Sequence, residues 1–153
     1  MIQVDDHGQN AIVLLAGANH EISPAEIDVA LANFPADSWL LVQNETSSVA
    51  HAIQSAKARG MRVAFNPAPF DSRVLDYPLE HLDLLCVNET EAAAMAGSAA
   101  PDQIATALAG EFPNCQILLT LGSAGVLWIV TVLPLMAIVH GPLTDVPSAF
   151  LKQ

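Results

Sequence analysis

The amino-acid sequence predicts an α/β protein of three layers, in which a mainly parallel sheet carries helices on both faces. Short apolar runs of strand length alternate along the chain with segments whose apolar residues recur at helical spacing, and Gly or Pro residues separate the two kinds of segment. This alternation is typical of βαβ units, so neighbouring strands are expected to be parallel with right-handed crossovers.

The helices are predicted from capping residues and apolar spacing. Ser23, Pro24 and Glu26 give a helix start with a capping box, and this first helix ends near Pro35. The second helix ends at Gly60 and has one apolar face, formed by Val49, Ala52, Ile53 and Ala56. Two more helices are predicted over residues 89–97 and 101–112.

Strand-like runs precede or follow each of these helices. They lie within residues 10–19, 38–43, 61–69, 81–88 and 115–125. The regular pattern stops at about residue 128, so we divide the chain into residues 1–129 and a divergent apolar tail, residues 130–153. We interpret the tail as a buried strand followed by irregular chain. Membrane association through residues 126–143 is the alternative, although a spanning helix needs about 20 apolar residues.

Composition excludes some partners. The chain has 16 Asp and Glu against 5 Lys and Arg, for a net charge of -11. Nucleic acids and anionic membrane surfaces attract basic patches, so neither is expected to bind. Cys86 and Cys115 form no CxxC pair and are expected to be buried free thiols. The five His residues lack zinc-ligand spacing, and the N-terminus lacks a signal peptide, so a cytoplasmic location is expected.

Polar residues follow four of the predicted strands. They are Asn44 and Glu45, Asn66, Asn88 to Glu91, and Thr120 to Ser123. Ligands of parallel sheets bind at the carboxyl ends of the strands. The sequence therefore predicts that these residues share one edge of the sheet.

The segment "NETE" (88–91) has two interpretations. In the first, Asn88 and Glu91 form only a capping box at the start of a helix. In the second, Glu91 lies near a hydrated Mg²⁺ ion and Asn88 near a phosphate group, because Mg²⁺ is often held by one or two carboxylates beside substrate phosphates.

The other polar segments also leave alternatives open. "TLGSAG" (120–125) is a tight turn that needs Gly122 and Gly125, or a backbone cradle for nucleotide phosphates assisted by the Thr120 and Ser123 hydroxyl groups. Asn66 in "NPAP" belongs to a rigid turn or orients a phosphate or ribose. Glu45 is a solvated carboxylate or accepts hydrogen bonds from a sugar hydroxyl.

Taken in order, the segments "VQNE" (42–45), "NPAP" (66–69), "NETEA" (88–92) and "TLGS" (120–123) resemble the ribokinase (PfkB-type) sugar-kinase family. The resemblance covers about residues 2–129, which would form the central part of a ribokinase-like domain. It implies a ribokinase-like fold and ATP-dependent phosphorylation of ribose or a related sugar.

The resemblance also implies roles for individual residues. Glu45 matches an acid that contacts the sugar. Asn66 lies close to the nucleotide in the family, and Thr120, Gly122 and Ser123 match the start of its ATP site. Asn88 and Glu91 match a motif that tunes phosphate and magnesium binding, so Glu91 is the candidate metal residue. Complete relatives would bind nucleotide, sugar, Mg²⁺ and often a monovalent cation.

The sequence departs from the family in three ways. Family members are about twice as long, and neither their Gly-Gly sugar-binding motif nor their GAGD motif, whose Asp is the catalytic base, is found here. Asp145 is the only acid of the tail, and no Gly-rich segment surrounds it. We therefore assign no catalytic residue and expect negligible turnover from this chain alone. The alternative is a non-catalytic nucleotide-binding or interaction module, and open sheet edges favour a homo-oligomer.

Overall fold

The computed structural model describes residues 2–4, 6, 10–12, 16–97, 101–132 and 135–141. Its helices are α1 (Pro24–Leu31), α2 (Val49–Ala58), α3 (Glu89–Ala96) and α4 (Pro101–Glu111). Its strands are β1 (Ile2–Val4), β2 (Asn10–Ile12), β3 (Trp39–Gln43), β4 (Arg62–Asn66), β5 (Leu84–Asn88), β6 (Gln116–Thr120), β7 (Val126–Val132) and β8 (Leu135–Gly141). The predicted order of strands and helices from residue 24 to residue 120 is thus confirmed.

Six strands form one sheet in the order β3-β4-β5-β6-β7-β8. The pairs from β3 to β6 are parallel, whereas β7 and β8 are antiparallel to their neighbours. Helix α2 connects β3 to β4, and helices α3 and α4 connect β5 to β6. The α/β class with a mostly parallel sheet, predicted from the alternation of segments, is therefore confirmed.

The helical layer packs on one face of this sheet. The four residues predicted to form the apolar face of α2 are all buried, and Leu31, Ala92 and Leu108 contribute from the other helices. The strand residues of the same core alternate along the chain and include Val63, Phe65, Leu85, Val87, Ile117 and Leu119. On the opposite face Leu41 is 72% and Trp39 48% exposed. Among the described residues, the helices that contribute to this core therefore pack on one face of the sheet.

The N-terminal run of the sequence does not join the main sheet. Strand β2 pairs in antiparallel fashion with β1, and the two form a separate sheet. Residues 13–15 of the predicted run lie outside the described residues. Over its described residues 10–12, the predicted run at residues 10–19 is a strand, but it pairs with β1 and not with the parallel sheet.

The predicted tail begins as regular structure. Strand β7 runs through residue 129, where we divided the chain, and pairs with β8 as a hairpin. Asp145 and the rest of residues 142–153 lie outside the described residues, so the division into two regions stays a prediction. Residues 126–132 and 135–141 form the two strands, and none of the described helices is long and apolar enough to cross a membrane.

Candidate functional site

Four parallel strands bring the predicted polar residues to one edge of the sheet. Asn66 ends β4, Asn88 ends β5 and Thr120 ends β6, while Asn44 and Glu45 follow β3 directly. Asn88 pairs with Thr120 in the register of β5 and β6. Phe65 pairs with Leu85, so the register places Asn66 beside Cys86, two residues before Asn88.

The register also places three of these side chains on the same face. Paired residues, and residues two apart in one strand, share a face of a sheet. Asn66, Cys86, Asn88 and Thr120 therefore lie on one face. This is the face opposite to the helical layer, since Phe65, Val87 and Leu119 belong to the core on the other side. Asn88 and Thr120 are exposed there, and Asn66 is partly exposed.

Asn88 and Glu91 form the predicted capping box at the start of α3. The Asn88 N–H donates to Glu91 Oε2 at 2.9 Å, and the Glu91 N–H donates to Asn88 Oδ1 at 2.9 Å. Glu91 is the one buried charged residue of the described chain, with 7% exposure. The capping box itself is confirmed, and it leaves the ligand-binding interpretation open because helix N-termini also attract anions.

The segment after β6 is a closed turn. The Leu121 N–H donates to the Gly125 carbonyl at 2.8 Å, and the Thr120 hydroxyl donates to the Val87 carbonyl at 3.4 Å. Gly122 has φ +54° and Gly125 φ +99°, in the region that favours glycine. Ser123 is exposed. The predicted tight turn is confirmed, and it directly follows Thr120, the partner of Asn88. The interpretation as a phosphate cradle stays a prediction.

Glu45 lies between two cavities. One, of about 490 Å³, is lined by Ala16, Gly17, Asn19, His20, Asn44, Glu45, Pro69, Asp71 and Arg73. The other, of about 500 Å³, is lined by Asn19, Leu41, Val42, Gln43, Glu45, Thr46, Asn66 and Cys86. The second cavity joins two of the predicted ligand-binding residues, Glu45 and Asn66, and lacks Asn88 and Thr120 in its lining.

The sequence did not predict the hydrogen bonds around Asn44. Its Nδ2 donates to the Pro69 carbonyl at 2.7 Å, and its Oδ1 accepts from the Tyr77 hydroxyl at 2.8 Å. Burial raises the pKa of Tyr77, so this phenol remains a hydrogen-bond donor at neutral pH. The signal in the sequence was weak: Asn44 adjoins Glu45, but nothing pointed to a partner 33 residues away.

Asp71 and Arg73 form an ion pair at the rim of the first cavity. Asp71 Oδ1 accepts from Arg73 Nε at 3.0 Å, and Asp71 Oδ2 accepts from Arg73 Nη2 at 2.7 Å. These hydrogen bonds lower the pKa of Asp71 to about 2. The guanidinium group is therefore already engaged by a carboxylate, which limits its capacity to bind an anion.

The described residues do not form a protein cage for a metal ion. No group of three or more His, Cys, Asp or Glu side chains in the described part of the chain is arranged to hold one. Glu91 offers a single carboxylate, one oxygen of which already accepts the Asn88 N–H. This arrangement fits Mg²⁺ that is held mainly by phosphates and water, with one protein carboxylate nearby.

The two cysteines differ in their surroundings. Cys115 is buried, as predicted, whereas Cys86 is only half-buried and lines the cavity that contains Glu45. Both thiols are free. The prediction that both are buried is therefore wrong for Cys86, because its side chain lies on the face of β5 without a helical layer.

Comparisons with known proteins agree with this architecture. The family model described as pfkB family carbohydrate kinase matches residues 1–139. Ribokinase from Haemophilus influenzae is 38% identical over 132 residues, which are 82% of this chain and 42% of the relative. Deoxyribokinase from Salmonella typhi is 33% identical over 135 residues, 83% of this chain and 44% of the relative.

A solved structure shows the same fold. Ribokinase from Cryptococcus neoformans var. grubii serotype A in complex with ADP has a TM-score of 0.70 and 30% identity, covering 92% of this chain and 49% of that one. The chain belongs to the pfkB family of carbohydrate kinases. It spans less than half the length of these three relatives.

Proposed function

We propose that this edge of the sheet is the nucleotide and sugar edge of a ribokinase-type kinase, which transfers the γ-phosphate of ATP to a hydroxyl group of ribose or a related sugar. The observation that carries the proposal is the common placement of Asn66, Asn88 and Thr120 on one face of the sheet at the ends of adjacent strands. Relatives that are a ribokinase and a deoxyribokinase, and a relative in complex with ADP, support it.

Each residue has a role in this proposal. Glu45 accepts hydrogen bonds from sugar hydroxyl groups, and Asn66 and Asn88 orient the phosphates. The turn containing Thr120, Gly122 and Ser123 holds the nucleotide, and Glu91 contacts hydrated Mg²⁺. When bound to the phosphates, Mg²⁺ neutralises part of their negative charge. A monovalent cation is implied for complete relatives, and we assign no residue of this chain to it.

We further propose that the chain alone has negligible turnover. Phosphoryl transfer depends on positioning and on charge stabilisation, and the sequence contains no GAGD segment to supply the base and the anion hole. A coupled assay that detects ADP release, run with ribose and other sugars, tests this. Robust sugar-dependent turnover from the purified chain would show that the missing motif is not essential.

Nucleotide binding can be separated from helix capping, because the described part of the chain contains two capping boxes. Glu91→Gln and Glu26→Gln each keep a side chain that can cap and each remove one charge. In calorimetric titration with Mg·ATP we expect Glu91→Gln to weaken binding by about tenfold or more. Glu26→Gln at α1 should leave the affinity unchanged. Equal effects of the two substitutions would exclude a specific role for Glu91.

The second candidate function is a non-catalytic nucleotide-binding module. Five of the candidate residues are assigned to the nucleotide and its phosphates, whereas Glu45 alone among them is assigned to the sugar. This balance favours a module that binds nucleotide. This module would bind Mg·ATP in the same titration but show no heat with ribose and no turnover. An absence of binding at millimolar nucleotide would count against both functions.

We also propose that the chain self-associates and resides in the cytoplasm. Strand β3 is an edge strand of the six-stranded sheet, and its sequence "WLLVQ" has none of the charged or Pro residues that block edge pairing. Two free cysteines are consistent with a reducing compartment. Sedimentation analysis of the wild type and of Leu41→Lys tests self-association, and a wild-type monomer at all concentrations would refute it.

A further inference from the structure

The loop that carries Glu45 is held at both of its ends. After β3 the chain passes through residues 44–48 before α2 begins. At the far end of this loop the Ser47 hydroxyl donates to the Ile22 carbonyl at 2.7 Å, and the Ser48 hydroxyl donates to the same carbonyl at 3.0 Å. The Ser47 N–H also donates to the Asn19 carbonyl at 2.9 Å. Glu45 and Thr46 therefore lie in a short bridge between two fixed points.

Asn44 is the fixed point at the near end. Its main-chain N–H donates to the Ala68 carbonyl at 3.0 Å, and its side chain donates to the Pro69 carbonyl at 2.7 Å. The side-chain oxygen accepts the Tyr77 hydroxyl at 2.8 Å. One amide thus joins the end of β3 to the turn after β4 and to a residue beyond that turn.

The same turn also contains the amide of Asn66. Asn66 Oδ1 accepts the N–H of Ala68 at 2.9 Å, and the Ala68 carbonyl accepts the N–H of Asn44. Two hydrogen bonds through one residue therefore connect the two predicted ligand-binding positions, because Glu45 directly follows Asn44. The Asn44 side chain adds a further link to this turn through the Pro69 carbonyl.

Tyr77 is itself held in place. Its ring packs against the fully buried Phe65 with 6.1 Å between centroids and an interplanar angle of 58°. The aromatic ring is thus anchored on the core side of β4, while its hydroxyl group reaches Asn44. Such an arrangement fixes the amide plane of Asn44, since its donor and its acceptor atoms both have partners.

We propose that Asn44 and Tyr77 are positioning residues that set the location of Glu45 relative to Asn66, and so determine how tightly a polyhydroxyl substrate is held at this edge. The proposal rests on the proposed role of Glu45 in binding sugar. Neither side chain needs to touch the substrate. Both act through the main chain of the loop.

Tyr77→Phe and Asn44→Leu test the proposal. Each removes hydrogen-bonding groups at nearly constant size, and the ring contact with Phe65 remains in Tyr77→Phe. In calorimetric titration we expect ribose affinity to fall by about threefold to tenfold in Tyr77→Phe, the consequence of one lost hydrogen bond in the supporting network. The fall should be at least as large in Asn44→Leu, which loses the bonds to both Pro69 and Tyr77. Affinity for Mg·ATP should stay close to wild type in Tyr77→Phe.

Two controls separate positioning from general destabilisation. Ser55→Ala removes a hydroxyl group that binds Asp28 on the helical side at 2.8 Å. Leu108→Ala in α4 removes a buried core side chain far along the chain from both the loop and the Phe65–Tyr77 contact. Neither should change ribose affinity beyond the loss of folded protein. If both controls weaken ribose binding as much as Tyr77→Phe, positioning by Tyr77 is excluded.

If the wild-type chain binds no ribose, the proposed role of Glu45 in sugar binding is refuted, but the hydrogen-bonded arrangement of the loop is not. A second measurement tests that arrangement without a ligand. Amide exchange at Asn44 and backbone order parameters at Glu45 and Thr46 then report directly on the loop. We expect faster exchange and lower order parameters in Tyr77→Phe, with no change at residues 120–123. Wild-type values at Asn44 and Glu45 in both variants would overturn the proposal.

Discussion

Asn88 and Glu91 bind each other through two reciprocal hydrogen bonds, each 2.9 Å long. Ser23 and Glu26 do the same at α1, with distances of 2.9 and 3.3 Å. The first pair lies at the edge of the sheet beside Thr120, whereas the hydrogen bonds of the second are exposed and its residues line neither cavity that contains Glu45. The chain thus provides an internal comparison between a cap beside a candidate ligand site and a cap outside it.

We expect Asn88→Ala and Ser23→Ala to lower the free energy of unfolding by similar amounts, about 0.5–2 kcal/mol each, because each removes the acceptor for a helix N–H. Urea denaturation monitored by circular dichroism measures this. Asn88→Asp is the control that keeps the acceptor, and it should retain most of the stability. A loss confined to Ser23→Ala would mean that the cap at α3 contributes little.

The core should be far more sensitive than the open face of the sheet. Leu85 is fully buried, whereas Leu41 on β3 is 72% exposed. We expect Leu85→Ala to lower the free energy of unfolding by about 2–5 kcal/mol through lost transfer energy and a cavity. Leu41→Ala should change it by less than about 0.5 kcal/mol, measured on dilute protein. A large loss at Leu41 would show that this face is covered in solution.

Local chemistry made much of the fold predictable. The two capping boxes, the apolar spacing of α2 and the Gly97 stop, with φ +64°, are all determined within one or two turns of chain. The edge of the sheet followed from alternation alone, since parallel strands must place their carboxyl ends together. Asn66, Asn88 and Thr120 were therefore located without any knowledge of tertiary contacts.

The parts that sequence could not predict depend on contacts between distant segments. The bond from Tyr77 to Asn44 joins residues 33 apart, and no periodicity marks it. The β7–β8 hairpin was missed because buried residues such as Trp128 and Ile129 lie on both faces of β7, which removes the alternation that identifies a half-exposed strand.

Stability should depend on pH through Asp71. Hydrogen bonds from Arg73 hold the pKa of Asp71 at about 2, below its usual value of 3.8. A lowered folded-state pKa contributes stability above the unfolded-state pKa, and this contribution disappears as pH falls from about 4 to about 2. We expect the difference in urea midpoint between wild type and Asp71→Asn to be largest near neutral pH and to shrink across that range. A difference independent of pH would contradict this assignment.

Arg73→Ala is the matched control for Asp71→Asn, because it removes the donor of the same side-chain hydrogen bonds. It should reproduce the altered pH dependence of Asp71→Asn. Added salt should reduce both effects, since the Arg73 side chain is 78% exposed and the pair is open to screening. A pH dependence that persists in Arg73→Ala would point to another partner for Asp71.

Asp83 should matter more to stability than its ion-pair partner Lys57. Both carboxylate oxygens of Asp83 accept from Lys57 Nζ at 2.9 Å, and Oδ2 also accepts the Val63 N–H at 2.8 Å. The half-exposed ion pair alone is worth about 0–1 kcal/mol. We expect Asp83→Ala to cost about 1–3 kcal/mol, because it leaves a main-chain N–H at the start of β4 without its acceptor.

Lys57→Ala and Asp83→Asn divide the effect of Asp83 into its two parts. Lys57→Ala removes the charge pair and keeps the bond to Val63, so its cost should stay at or below about 1 kcal/mol. Asp83→Asn keeps an oxygen acceptor, so its loss of stability should lie between the losses of Lys57→Ala and Asp83→Ala. Equal losses for Lys57→Ala and Asp83→Ala in urea denaturation would assign the whole effect to the ion pair.

The two cysteines should react with thiol reagents in a fixed order. Burial raises the pKa of the Cys115 thiol to about 12 and also raises the pKa of Cys86. Cys115 is 5% exposed, whereas half-buried Cys86 lines the cavity that contains Glu45 and Asn66. Because the thiolate is the reactive form and needs access to the reagent, Cys86 should be alkylated first and Cys115 only after unfolding.

Time-resolved mass spectrometry of iodoacetamide-treated protein measures both rates, and Cys86→Ser should leave the native chain almost unlabelled. A contrary result would be alkylation of Cys115 in the native Cys86→Ser chain at the rate seen in urea. It would show that the core around β6 opens, and it would contradict the packing that fixes the strand positions at this edge.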